Sequence, residues 1–185
     1  FLGKIKIIFL NIIRNMDVFY GGAIQGAQNR KQRAAVHRAI INKIKDMGYN
    51  VVTEHTTGTS YAEAIQHLEE AIGPLPKEEM ARRRYVRDKM IGFVESDVIA
   101  TIFELSIPSL GTGIEFAHAY LRPRLGLKKI PVIGLYQKEY WPNKLSTMIR
   151  GIPIKNLNHV SIYDYKDIED VKQYLESFFE NMNDA

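Results

Sequence analysis

The chain contains no cysteine. It therefore cannot form a disulfide, use a thiol as a nucleophile or bind zinc through thiolates. A lack of disulfides is typical of a reducing compartment, so we expect a cytoplasmic location. The five histidines are dispersed and include no His-x-x-x-His pair, the spacing that places two metal ligands on one helix face. We accordingly expect neither a metal nor a cofactor in the functional site.

Two common nucleotide-binding motifs are also missing. Gly22 and Gly26 are spaced Gly-x-x-x-Gly, which differs from the dinucleotide-binding fingerprint. No P-loop lysine follows a glycine-rich loop either. These absences weaken the hypotheses of hydride transfer and of P-loop nucleotide hydrolysis.

Charge gives no sign of a polyanionic partner. Lys and Arg number 25 and Asp and Glu 21, so the net charge of +4 is small, and it is spread along the chain. The densest basic cluster, Arg82–Arg84 with Arg87, is best interpreted as a solvated helix face. A nucleic-acid surface would instead interleave basic and aromatic residues. We expect no nucleic-acid partner.

Residues 1–15 differ from the remainder of the chain. Lys4–Leu10 first alternates and then runs apolar. It is too short to span a membrane, and no small-residue cleavage site follows it, so we expect no membrane partner. We interpret residues 1–15 as a terminal extension that adds an edge strand or packs against a partner subunit. Residues 16–185, which contain no internal repeat or low-complexity segment, are predicted to form a single α/β domain.

Strand and helix patterns alternate from Met16 onward. Short apolar runs bounded by turn residues are typical of buried parallel strands, and segments with helical spacing of apolar residues separate them. This alternation predicts a Rossmann-like three-layer α/β sandwich with a five-stranded parallel sheet and right-handed crossovers. The predicted strands are Asp17–Tyr20, Tyr49–Thr53, Val98–Phe103, Ile130–Leu135 and Val160–Tyr163.

The most informative stretch is Pro108–Glu115, which follows the third predicted strand. Gly111 and Gly113 would let the backbone turn tightly and approach a ligand, and free N–H groups at the next helix start would favour an anion. Glu115 would lie in the first helical turn, where the helix dipole would help to keep it ionised. Because loops converge at the carboxyl edge of a parallel sheet, a common cleft would collect Glu54, His55, Glu104, Ser109 and Glu115.

Two segments carry a resemblance to known enzymes. Ser109–Glu115 is similar to the Ser-Leu-Gly-x-Gly-x-Glu signature of the nucleoside 2-deoxyribosyltransferase superfamily, and Thr53-Glu54-His55 and the Gly22–Gly26 turn fit it. Leu145–Gly151 resembles the Leu-Ser-x-Met-Ile-Arg-Gly segment of the 2′-deoxynucleoside 5′-phosphate N-hydrolases within that superfamily, and Tyr163-Asp164-Tyr165 continues the similarity. The likeness covers about Val18 to Phe179.

This resemblance implies cleavage of the N-glycosidic bond of nucleoside 5′-monophosphates, which gives a free base and a sugar 5-phosphate. Glu115 would be the nucleophile and would form a covalent glycosyl-enzyme intermediate that water releases with net retention. Asp88, the counterpart of the family's Arg-Asp aspartate, would assist the nucleophile or protonate the departing base. Without the flanking signature, Glu115 would be taken as a glutamate that merely complements the helix dipole, and Asp88 as a surface residue.

The resemblance also implies binding roles. Ser109 and Gly111 would hold the 5′-phosphate, and His55 would line the pocket. Ser146, Thr147 and Met148 would add donors from a neighbouring subunit, so a homodimer is expected.

Two positions depart from the family pattern. The first loop of the hydrolases commonly reads Gly-Ser-Ile-Arg-Gly, whereas this chain has Gly22, Ala23, Ile24, Gln25 and Gly26. Arg30 is a candidate to replace the missing guanidinium. Phe19 stands where deoxyribose-specific members have a tyrosine beside the sugar, which leaves ribonucleotides open as substrates.

Three functions follow from these residues. The leading hypothesis is a nucleoside 5′-monophosphate N-glycosidase. A 2′-deoxyribosyltransferase would pass the same glycosyl group to a second base instead of water. A non-catalytic nucleotide-binding module would keep the fold and the phosphate loop, but it would have no need of Glu115.

Overall fold

The computed structural model describes residues 16–23, 29–138, 140, 144–152 and 157–183. The predicted extension at residues 1–15, with its possible edge strand, and the predicted contacts of Ile24, Gln25 and Gly26 lie outside this part of the chain. None of the helices in these ranges is long and apolar enough to cross a membrane.

The sheet has five parallel strands in the order β2-β1-β3-β4-β5, as the alternation predicts. The second strand is shorter than expected and lies at the edge. The bounds are β1 Asp17–Gly22, β2 Asn50–Val51, β3 Ala100–Glu104, β4 Val132–Gln137 and β5 Val160–Tyr165.

Helices cover both faces of the sheet, which confirms the three-layer prediction. Their bounds are α1 Arg30–Asp46, α2 Tyr61–Ile72, α3 Glu79–Glu95, α4 Leu110–Leu121, α5 Thr147–Arg150 and α6 Ile168–Asn183. The apolar sides of α1 and α6 share one core cluster, and those of α2, α3 and α4 share the other. Successive residues of β1 alternate between these clusters, Val18 and Tyr20 on one side and Phe19 on the other, as side chains of a strand must.

Several helix ends are encoded locally. Gly48 follows α1 with a φ of 90°, a conformation that glycine adopts without steric cost. Ser60 accepts a hydrogen bond from the backbone N–H of Glu63 (3.1 Å) at the start of α2. Asp167 accepts one from the backbone N–H of Asp170 (3.0 Å) at the start of α6. These side chains thus encode the starts of α2 and α6 in the local sequence.

The strand order creates a switch point between β1 and β3. The chain leaves β1 toward β2 on one side and returns to β3 on the other. At the carboxyl edge of this pair, Gly22 lies opposite Glu104. Open α/β sheets bind ligands in the crevice outside such a point. The loops after β1 and β3 are therefore expected to carry the functional residues.

Candidate active site

Ser109 sets the start of α4. Its hydroxyl oxygen accepts a hydrogen bond from the backbone N–H of Thr112 (3.3 Å), so the helix begins at Leu110. Glu115 therefore lies in the second turn, and the prediction of a first-turn position is wrong. The physical reason is that the Ser109 cap draws both glycines of the signature into the helix instead of leaving them in a preceding turn.

Gly111 and Gly113 leave space beside the helix start. Neither is among the described glycines with positive φ, so the prediction of a tight turn is wrong. A Cβ on Gly111 would have Ser109 Oγ, at 3.9 Å, as its nearest contact, and one on Gly113 would meet nothing within 4 Å. The first-turn N–H groups of a helix have no helical partner. Those of α4 therefore lie beside open space that a ligand can enter.

Glu115 is a partly buried carboxylate. It makes no hydrogen bond or ion pair with any residue that the structure describes. Burial raises the pKa of Glu115 to about 7, so the expectation that the helix start keeps it ionised is wrong. The helix dipole acts mainly within the first turn, and at the second turn the loss of hydration outweighs it. Such a pKa is typical of a catalytic carboxylate.

A buried polar network lies at the end of β3. Glu104, which is buried, forms an ion pair with Arg33 of α1 and accepts a hydrogen bond from the Tyr165 hydroxyl (2.9 Å). The Ser106 hydroxyl donates to Glu104 and accepts from the backbone N–H of Gln137 (2.7 Å). Arg33 also donates to the Gln137 side chain (3.0 Å). The network ties α1, β4 and β5 to the segment that leads from β3 to Ser109.

The charge of Arg33 is retained within this network. Burial alone would lower the pKa of Arg33, but the neighbouring Glu104 carboxylate outweighs that effect, and the pKa is raised. Arg33, Gln137 and Tyr165 carry no motif that marks them in the sequence. One signal exists for Arg33: it precedes His37 and Ile41 at i, i+4 spacing, which places a charge on the inner face of a predicted helix.

Arg30, the predicted substitute for a missing guanidinium, borders a small cavity of about 10 Å³ beside Ala23. Its Nε donates to the carbonyl oxygen of Gly58 (3.3 Å). His37 and Thr56 also line this cavity. Gly22 is required next to it, because a Cβ there would lie 2.6 Å from His37 Cε1. Gly22, Ala23 and Arg30 thus meet at one corner of the switch point.

Phe19 and His55 are both buried. Phe19 has no exposed surface and packs against Phe103, with ring centroids 5.5 Å apart. His55 begins a short 3₁₀ helix, and burial lowers its pKa to about 4, so the imidazole is neutral near pH 7. The predicted positions of Phe19 beside the sugar and of His55 in the lining of the substrate pocket remain predictions.

The Ser146 segment lies on the surface. Ser146 caps α5 by accepting a hydrogen bond from the backbone N–H of Met148 (3.2 Å). Thr147 is exposed, and Met148 is 82% exposed. The Ser146 hydroxyl keeps its own hydrogen for a further acceptor.

Asp88 lies on the solvent side of α3. Its side chain is 70% exposed, and its carboxylate pairs with Arg87 (3.0 Å). Within the described residues it makes no ion pair or hydrogen bond with a group of the α4 start. Its assignment as a catalytic residue remains a prediction.

Comparison with known proteins gives the family of the chain. No protein-family model matches it. A Thermofilum pendens protein named "Putative 2′-deoxynucleoside 5′-phosphate N-hydrolase 1" is 30% identical over 162 residues, which cover 88% of this chain and 94% of the relative. The zebrafish (Danio rerio) 5-hydroxymethyl-dUMP N-hydrolase is 29% identical over 168 residues, 90% and 98% of the two chains. A Methanosarcina mazei protein with the same name as the first is 27% identical over 162 residues, which cover 88% of this chain and 83% of the relative. The chain belongs to the 2′-deoxynucleoside 5′-phosphate N-hydrolase family of N-glycosidases.

Proposed function

We propose that this protein hydrolyses the N-glycosidic bond of nucleoside 5′-monophosphates and releases a free base and a sugar 5-phosphate. The observation that carries the proposal is the unpaired, partly buried Glu115 carboxylate, which follows the open start of α4 at Ser109 and Gly111. A nucleophile and an anion-binding helix start within one short segment suit a substrate that has both an electrophilic C1′ and a phosphate. The names of the relatives support the same reaction.

In the proposed reaction, the ionised carboxylate of Glu115 attacks C1′ on the face opposite the base. The C1′–O bond forms as the C1′–N bond breaks, and the base leaves after it receives a proton. Water then attacks C1′, and the bond between C1′ and Glu115 breaks. The hydroxyl of the water stays on the sugar, and its other proton returns to the site. Two inversions at C1′ yield net retention. Asp88 is the proposed source of the proton for the base.

The phosphate is proposed to bind at the start of α4. The Ser109 oxygen already accepts a hydrogen bond from Thr112 N, so its O–H remains available to donate. The backbone N–H groups of Leu110 and Gly111 lie in the first turn, where no helical acceptor is available to them. Together with the helix dipole, these donors favour a phosphorylated substrate over a nucleoside.

A homodimer is proposed to complete the site. Three large apolar side chains are unusually exposed near the two binding segments: Leu110 at 90%, Ile114 at 52% and Met148 at 82%. Leu110 and Ile114 are spaced i, i+4 and therefore lie on the same side of α4. Exposed apolar side chains beside a functional site are typical of a protein interface. In the dimer, Ser146, Thr147 and Met148 would reach the partner's phosphate.

The experiment is a substrate panel assayed for free base. Purified protein is incubated with dCMP, dGMP, CMP, GMP, 5-hydroxymethyl-dUMP and the matching nucleosides, with and without a second free base. Release of base from nucleotides without an acceptor is the expected result. A reaction confined to unphosphorylated deoxynucleosides and dependent on an acceptor would identify a transferase instead. Binding without release would identify a non-catalytic module.

A further inference from the structure

The Ser146 segment depends on contacts outside its own helix. The helix α5 has only four residues, Thr147–Arg150, and so short a helix is not stable on its own. Its apolar anchors are Leu145, Ile149 and Ile152, which are partly buried against the core cluster beneath α2, α3 and α4. These anchors hold the segment on the protein surface.

Arg150 supplies a second, directional anchor. Its Nη1 donates to Asp164 Oδ1 (2.6 Å), and its guanidinium carbon lies 5.3 Å from the centroid of the Tyr136 ring. Tyr136 and Asp164 are directly paired on the adjacent strands β4 and β5. Paired residues on neighbouring strands point to the same face of the sheet. One guanidinium thus contacts two neighbouring strand ends, through an ion pair and a cation–π contact.

The backbone links this anchor directly to Ser146. The carbonyl oxygen of Ser146 accepts hydrogen bonds from the backbone N–H groups of Ile149 (3.0 Å) and Arg150 (2.9 Å). A shift of Arg150 therefore moves the donors of the turn as one unit. The planar guanidinium holds a carboxylate in a defined geometry, which a flexible ammonium does not.

We propose that Arg150 and Asp164 are positioning residues that aim the Ser146, Thr147 and Met148 donors at the substrate phosphate. This inference rests on the proposed function, because it assumes that those donors bind the phosphate. The pair acts on nucleotide affinity and hardly on folding. The Arg150 and Asp164 side chains are 43% and 33% exposed, and ion pairs of such exposure contribute little to stability.

The test compares Asp164→Asn, Arg150→Lys and the double variant. Each is expected to raise the KM for a deoxynucleoside 5′-monophosphate by between about 10- and 100-fold, because a displacement of about 1 Å has costs of this size. The kcat should stay within about twofold, because the Glu115 segment does not move. The double variant should be no worse than the single ones, since both remove the same contact. Glu169→Gln, which removes the Lys172–Glu169 ion pair (2.7 Å) on α6, is the matched control and should behave as wild type.

Calorimetric binding of the same nucleotide provides a readout that does not require turnover. A wild type that binds the nucleotide without releasing base would refute the proposed hydrolysis, while the dissociation constants of the variants would still decide the role of the pair. Unchanged KM and dissociation constants in both single variants would overturn the inference. It would also be overturned if Arg150→Lys weakened binding and Asp164→Asn did not, since Arg150 would then contact the phosphate itself. If wild type bound no nucleotide, both proposals would fail.

Discussion

Arg33 on α1 and Glu104 at the end of β3 form an ion pair with almost no access to solvent, at the switch point of the sheet. Their side chains are 3% and 1% exposed, so neither charge is screened by bulk water. The pair joins a helix to the strand from which the α4 signature departs. The pair therefore lies at the base of the segment that leads to Ser109.

Breaking this pair from one side should be costly. Arg33→Met or Glu104→Gln is expected to lower the free energy of unfolding by about 3–5 kcal/mol, because each leaves a buried charge without its partner. The double variant should lose less stability than the sum of the two single losses, because it leaves no buried charge without a partner. Urea unfolding measures these values.

The exposed pair between Arg83 and Glu79, which are 67% and 62% exposed, is the control. Arg83→Gln should change the stability by about 0.5 kcal/mol or less. An equal loss at both pairs would show that burial of the Arg33–Glu104 pair is unimportant.

Gly111→Ala should separate stability from activity. Alanine is favoured over glycine in a helix by about 0.5–1 kcal/mol, and the nearest contact of the new Cβ is at 3.9 Å. The free protein should therefore become more stable, while the KM for nucleotides rises because the methyl group occupies the space beside the phosphate donors. Thermal unfolding and steady-state kinetics check the two effects.

Gly92→Ala is the matched control, since a Cβ at this helical position meets nothing within 4 Å and the residue lies away from the signature. It should raise the stability to a similar extent and leave the KM unchanged. An unaltered KM in Gly111→Ala would mean that no ligand approaches the start of α4.

The pH dependence of activity should reflect the raised pKa of Glu115. The nucleophile must be ionised, and burial raises its pKa to about 7. Below that value kcat/KM should fall by about tenfold per pH unit because Glu115 becomes protonated, whereas a fall at higher pH reports the acid that protonates the base. Because a phosphate monoester also titrates near pH 6, carboxyl ¹³C NMR of the free protein is the independent check. A carboxyl resonance that titrates near pH 7 and is lost in Glu115→Gln is expected, and a midpoint near 4.5 would contradict the assignment.

The same carboxylate should reduce the stability of the protein at high pH. The pKa of Glu115 is higher in the folded state than the ordinary value of 4.5, so folding favours the protonated form. Stability is therefore lost as the pH rises from about 4.5 through 7. At pH 8, Glu115→Gln should be more stable than wild type by about 3 kcal/mol, or roughly 6–12 °C in Tm. At pH 4.5 the two proteins should melt together, and a gap that is independent of pH would refute the linkage.

The fold was accessible from the sequence because its signals are local. Apolar runs mark the strands, and the Ser60 and Asp167 caps mark two helix starts. The position of Glu115 within α4 could not be predicted from the sequence, because glycines are compatible with both a turn and a helix. The choice between the two depends on the Ser109 cap. The Arg33–Glu104 pair was also hidden, because it joins segments that meet only after the sheet has formed. The Arg150–Asp164 pair joins two recognisable motifs, but sequence similarity alone does not say that they touch.

The most direct test of the account is the release of free base from a deoxynucleoside 5′-monophosphate by wild type and by Glu115→Gln. Wild type should release base without an acceptor, and Glu115→Gln should be slower by more than about 10³-fold, as expected when a nucleophile is removed. Glu180→Gln, a change at an exposed position of α6, serves as the control. Release by Glu115→Gln at the wild-type rate would contradict the role of Glu115 as nucleophile.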